Sequence, residues 1–199
     1  MKHEEWIDVA NHVGYPLKNT GVELLGIYER WLRKEALVAG GIGPTESDRL
    51  GRRHITDSLL FARFLPADCL EVLDLGSGVG LPGIPLAVLR PEVTFRLVDR
   101  SGRRCELARR AVRVLNLKNV VVEQRDFADL EGKTRWIVSR ASLPPDQAFS
   151  SFGRLLEPGG VAILGGSWRE RPEYPGWVTI EVGSEILDQP VWILMMRNQ

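Results

Sequence analysis

The sequence predicts an α/β protein: a doubly wound, mostly parallel sheet, preceded by helices and closed by an antiparallel hairpin. Two observations carry that prediction. Between residues 71 and 164 short β-like runs alternate with helical ones, which is the pattern of βαβ units. Beyond them two apolar runs, WVTIEV (177–182) and PVWILMM (190–196), are joined by a stretch too short for a crossover helix, so they should pair antiparallel. At 199 residues, 44% apolar and 26% charged, the chain suffices for one such domain with a helical appendage. The expected division is a helical extension over residues 1–65 and the α/β domain over 66–199.

Each element has its own local reason. Residues 4–13 read as an amphipathic helix, with Trp6, Val9, Ala10 and Val13 on one stripe. Residues 20–38 read as a second, with Leu24, Leu25, Tyr28, Trp31 and Leu32 aligned. GGIGPTES (40–47) is rich in helix breakers and reads as a loop. A third helix runs through RHITDSLLFARFL and stops before Pro66. The periodicity then shortens. Strands are expected at EVLDL (71–75), TFRLV (94–98), NVVVE (119–123), WIVS (136–139) and VAIL (161–164), with helices through 82–89, 103–115 and 145–156. A parallel sheet finished by an antiparallel hairpin is the Rossmann-like arrangement of class I methyltransferases.

Composition excludes several functions. No apolar run is long enough to cross a bilayer, and MKHEEWIDVANH is acidic and amphipathic rather than signal-like, so a cytoplasmic protein with no membrane partner is expected. Cys69 and Cys105 are too few and too far apart for a metal cluster or disulfide framework, and the three histidines have no paired spacing, so no metal is expected. Net charge is zero, which gives no whole-protein field toward nucleic acid. Locally, Arg96, Arg100, Arg103, Arg104, Arg109, Arg110 and Arg113 face only Asp99 and Glu106 between residues 96 and 113. That run is either a solvated helix face or a phosphate-binding patch.

The strongest chemistry lies in VLDLGSGVGLPG. A buried strand ends near Asp74, glycines at 76, 78 and 80 allow a tight turn and close backbone approach, and Pro82 can open the next helix. Open α/β sheets bind ligands at this end of their strands. Read as a site for S-adenosyl-L-methionine, Asp74 lies near the cofactor's ammonium. The backbone of Gly76, Ser77 and Gly78 follows its methionine and sugar portions, and Asp99, at the end of RLVD, accepts from the ribose hydroxyls. The same residues also satisfy a dinucleotide fingerprint, Gly78, Gly80 and Gly83 with Asp99 downstream. Two features oppose it: the first glycine after the strand is Gly76, and the terminal hairpin replaces a second nucleotide-binding half. In EQRDFADL, Asp126, or the backbone of Asp126 and Phe127, is placed to read the adenine amino group; Asp126 can equally cap the short helix that follows.

Taken together, HITDSL, DLGSGVGLPGIPLAV, LVDRSGRR and VSRA resemble one family over roughly residues 53–164. It is the bacterial small-subunit ribosomal RNA guanine-N7 methyltransferase family, known as RsmG and formerly as glucose-inhibited division protein B. The resemblance implies contacts to S-adenosyl-L-methionine at Gly76, Leu81, Asp99, the Asp126–Phe127 pair and Arg140. It also implies ribosomal RNA or the small ribosomal subunit as partner. Guanine N7 carries an in-plane lone pair and no proton, so alignment suffices and no general base is needed. Arg140 is the catalytic candidate, its guanidinium holding a phosphate, the guanine O6 edge or the cofactor carboxylate. A structural ion pair is the alternative. His54 and Asp57, one helical turn apart, are read as stabilising the junction of extension and sheet.

The chain departs from the family in places. ALVAGGIGPTES replaces an Asn-Leu-Thr stretch, Arg135 lies where an acidic residue opens the fourth strand, and LGGSW replaces a Lys-Gly ending of the fifth. Gly165 or Gly166 thus stands for a lysine, and restoring one is expected to raise activity on the ribosomal guanine. Trp168 follows in the same loop, as a packing residue or as a surface on which a flat substrate stacks. Three functions therefore stand: the ribosomal methyltransferase, a divergent enzyme for another RNA or a small molecule, and a non-catalytic cofactor-binding module. Oligomeric state is not readable from the sequence.

Overall fold

The computed structural model describes residues 2–166, 168, 170–183, 187 and 191–198. Two helices come first, α1 (Lys2–His12) and α2 (Asn19–Trp31), the latter continuing as a π-helical turn over Leu32–Ala36. The expected loop at 40–47 is partly helical: a 3-10 segment spans Pro44–Arg49, opened by its proline, and a π-helical turn spans Leu50–Ile55. The third expected helix is accordingly broken into that turn, α3 (Thr56–Leu60) and a 3-10 turn, Phe61–Phe64.

The sheet follows: β1 (Glu71–Leu75), β2 (Thr94–Asp99), β3 (Val120–Gln124), β4 (Thr134–Arg140), β5 (Leu156–Gly165), β6 (Val178–Val182) and β7 (Val191–Arg197). Helices α4 (Gly83–Leu89), α5 (Gly102–Val114) and α6 (Pro145–Leu155) connect the parallel strands, with a short 3-10 turn, Phe127–Asp129, after β3. The order across the sheet is β3-β2-β1-β4-β5-β7-β6. Strands β1 to β5 pair in parallel, and β7 lies antiparallel between β5 and β6. This is the class I methyltransferase architecture. The chain winds outward from β1 to β3, then returns to place β4 on the other side of β1. The switch in direction opens a crevice at the carboxyl ends of β1 and β4.

Most boundaries shift from expectation by one or two residues, and two of the differences have a local cause. Pro82 precedes the first residue of α4 instead of occupying it. Strand β5 starts at Leu156, five residues before VAIL, because Gly159, at φ +76°, turns the backbone and the pairing to β4 shifts register between Thr134 and Trp136.

Both faces of the sheet are covered. Val72, Val138, Val161, Ile163 and Ile193 join one apolar cluster with the extension helices and α4, and Leu73, Leu75, Ile137, Ala162 and Leu164 join another with α6. Every residue of α4 is buried, as an all-apolar GIPLAVL requires. The extension and the sheet therefore share one core.

Candidate functional site

The glycine turn sits at the carboxyl end of β1, beside the switch point. Gly76 and Ser77 both donate their N–H to the carbonyl of Val98, at 2.8 and 3.2 Å, so the turn hangs from the end of β2. Gly76, Gly78 and Gly80 adopt φ of +73°, +58° and +105°, a region that side chains other than glycine rarely enter. At Gly78, its chain neighbours aside, no atom of the described residues lies within 4 Å of where a Cβ would stand, so a side chain there would fill the open cradle. Gly83 is needed for a different reason: its Cβ would lie 2.6 Å from Asp74 Oδ2.

The two acids act on the turn itself. Asp99 accepts from Gly78 N at 3.0 Å through Oδ2 and from Ser101 N at 2.8 Å through Oδ1, each oxygen keeping a further acceptor direction. Asp74 lies fully buried beneath the turn, with Oδ2 accepting from Gly83 N at 2.8 Å. Its Oδ1 is buried and has no partner among the described residues. Burial raises the Asp74 carboxyl to about 7, against the opposing pull of the Gly83 N–H and Arg140. An orphaned acceptor under an open glycine cradle fits a cationic ligand group.

Arg140 ends β4, opposite Gly165 in the register. Its guanidinium points toward the extension. Nη1 donates to the carbonyl of His54 at 3.2 Å and Nη2 meets His54 Nδ1 at 2.8 Å. A guanidinium only donates, so Nδ1 accepts and Nε2 carries the proton, which it gives to Glu46 Oε2 at 3.0 Å. Burial, then Arg140, lowers the imidazole to about 4, which agrees with a neutral ring. Asp57 is raised to about 6 by burial, partly offset by Arg140 and Arg53. Burial likewise lowers the Arg140 pKa, with Asp57, Tyr28 and Asp74 opposing it. His54 thus stands at the junction of extension and sheet, tied to Arg140 and Glu46 rather than to Asp57.

The remaining candidates spread around the turn. Leu81 is buried behind it. Asp126 is exposed and caps the turn Phe127–Asp129 by accepting from Ala128 N at 3.1 Å; Phe127 is half-buried, its Cζ 3.3 Å from where a Gly76 Cβ would be. Sequence reasoning missed Tyr28, which reads as one more residue on a helix stripe. Its hydroxyl donates to Val79 O at 3.0 Å and so pins the turn from below. It missed Ser142 as well, which bonds Ser139 and packs against Gly76. No local pattern marks either residue.

The arginine-rich run is largely consumed by pairing: Arg110 with Glu35 at 2.8 Å, Arg113 with Glu106 at 3.0 Å, and Arg96 with Glu123 at 2.9 Å. A Cβ at Gly165 would come 2.5 Å from Phe61 Cζ, and one at Gly166 would strike the Trp168 ring, so neither position admits a lysine without moving an aromatic. Among the described residues, no three His, Cys, Asp or Glu side chains converge as a metal site, and no helix is long and apolar enough to cross a membrane.

Comparison with known proteins gives the family and supports the fold. The family model described as "rRNA small subunit methyltransferase G" matches residues 22–171. A "Ribosomal RNA small subunit methyltransferase G" of Acidothermus cellulolyticus is 38% identical over 136 residues, which span 68% of this chain and 61% of the relative. One of the same name from Chlorobaculum tepidum is 36% identical over 163 residues, covering 79% of this chain and 74% of the relative. The crystal structure of TrmN from Thermus thermophilus superposes with a TM-score of 0.55 at 18% identity, over 73% of this chain and 49% of that one, which supports the fold. The chain belongs to the small-subunit ribosomal RNA methyltransferase G family.

Proposed function

We propose that this chain transfers the methyl group of S-adenosyl-L-methionine to N7 of a guanine in small-subunit ribosomal RNA. The observation that carries the reading, given the family, is the glycine turn pinned by Asp99 over an unpartnered Asp74 oxygen. When bound, the donor supplies an electrophilic methyl on a sulfonium. Asp74 Oδ1 is the acceptor for the donor's ammonium, and a cation there draws the carboxyl into its ionised form. The backbone of Gly76, Ser77 and Gly78 lines the methionine and sugar portions, with Leu81 behind. Asp99 serves the ribose hydroxyls, and the Asp126–Phe127 pair the adenine edge. Arg140 is the cation at the end of β4, positioned by His54 for the donor carboxylate or the substrate. Since N7 has no proton to lose, the chain needs only to align its substrate and exclude water.

The partner in this reading is the small ribosomal subunit, in the cytoplasm. The division at residue 65 belongs to the same proposal: the extension contributes Tyr28, Glu46 and His54, and the sheet contributes the donor cradle. The test is methyl transfer from a tritiated donor to isolated small subunits, naked small-subunit ribosomal RNA and a metabolite extract. Label in the ribosomal RNA is expected. Donor binding without label in any RNA would contradict the reading.

A further inference from the structure

We infer that Trp168 is the platform on which the target base lies, in a cleft beside the donor cradle. The inference rests on the function proposed above and names the base-holding surface for it. A cleft of about 330 Å³ opens at the carboxyl ends of β4 and β5, between the loop after β4 and the end of β5, with Trp168 among its walls. That volume is in the range of small-ligand sites. Besides Trp168, its walls include Leu143, Pro144 and Leu164, with Ser142 offering a hydroxyl: an apolar slot that suits a flat heterocycle.

Position and local packing both point the same way. Ser142 forms part of the cleft and also abuts the glycine turn, since a Cβ at Gly76 would lie 2.3 Å from Ser142 Cβ. The slot therefore adjoins the donor cradle across one residue. Gly166 seats the indole: a Cβ there would come within 2.6 Å of Cζ2 and 2.7 Å of Cη2 of Trp168. The indoles of Trp6 and Trp177 are buried and donate to Gly51 O and Pro145 O, as core residues do. Trp168 is half-buried on a cleft wall and packed against the α6-side core. Stacking holds any base by its face, so Trp168 gives affinity for an unpaired base while selection among bases falls to other groups.

The test uses the full chain with S-adenosylhomocysteine and a short single-stranded RNA carrying one guanosine, against the same RNA with an abasic residue there. The guanosine RNA should quench wild-type indole fluorescence, the abasic RNA should not, and Trp168→Phe should lose the quench. Affinity for the guanosine RNA should fall about tenfold in Trp168→Ala and less in Trp168→Phe, which keeps a ring. Calorimetric affinity for S-adenosylhomocysteine should not change in either variant. No quench in the wild type, an equal quench in Trp168→Phe, or wild-type RNA affinity in Trp168→Ala would overturn the platform. Methyl transfer separates the two ideas. A wild type that methylates no RNA but shows the Trp168-dependent quench keeps the platform and loses the reaction. Trp168→Ala with wild-type kcat/KM on ribosomal RNA keeps the reaction and loses the platform.

Discussion

Asp99 shows how much one side chain carries at this site. Its two oxygens hold Gly78 and Ser101 by their backbone N–H groups, and so fix both the glycine turn and the start of α5. In the proposed function the same carboxylate also meets the ribose. Removing it costs charge-assisted hydrogen bonds of about 1.5–3 kcal/mol each. Asp99→Ala should therefore weaken S-adenosylhomocysteine binding more than tenfold in calorimetry while the far-ultraviolet dichroism stays that of a folded α/β protein. An unchanged dissociation constant in the folded variant would remove Asp99 from the site. That Asp99 ends β2 was legible in RLVD. That it also clamps Gly78 was not, because the bond spans 21 residues and depends on β1 and β2 being neighbours.

At the scale of elements, the strands were legible because buried parallel strands are short apolar runs, and the helices because their apolar stripes recur at helical spacing. The segment between residues 44 and 64 was legible only in part: a helix over its second half was expected, but its breaks and the helical turn at Pro44–Arg49 were not. Its irregular helical turns are set by what they dock on: Trp6 Nε1 donates to Gly51 O at 3.1 Å, and His54 is held by Arg140. Such partners lie far away in sequence. The docking has a pH signature. His54 is lowered from 6.5 to about 4, so its contribution to stability is complete above pH 6.5 and disappears as pH falls toward 4. The linkage is at most about 3 kcal/mol. Asp57 and Asp74 act oppositely, because carboxyls raised from 3.8 destabilise the fold as pH climbs from 3.8 to about 6 and to about 7, respectively. The comparison that isolates the histidine is thermal melting of wild type against His54→Asn from pH 7.5 to 4.5. The wild type should be the more stable at neutral pH, with the gap narrowing steadily on acidification. A gap independent of pH would mean that His54 is not held as the neutral ring bonded to Arg140.

For the whole molecule, the sheet order makes the site. Because β4 returns beside β1, the glycine turn, the Arg140 strand end and the Trp168 cleft meet along one edge, and the shared core holds the extension against that edge. The turn proposed as the donor cradle was readable as a motif, since Asp74 and the glycines at 76, 78 and 80 follow one another directly in the chain. Of the proposed substrate cleft, Trp168 was legible as a packing residue or a stacking surface, whereas Ser142 was not, since it joins Gly166 and Trp168 only through packing. What this arrangement is proposed to do is methylate one ribosomal guanine at N7, and that atom can be read directly. Small subunits incubated with the chain and S-adenosylmethionine should yield RNA that breaks at a single guanosine after borohydride and aniline treatment, the chemical mark of 7-methylguanosine, with no break when the chain or donor is omitted. Methyl label in the RNA without such a break, or on a residue other than guanosine, would contradict it.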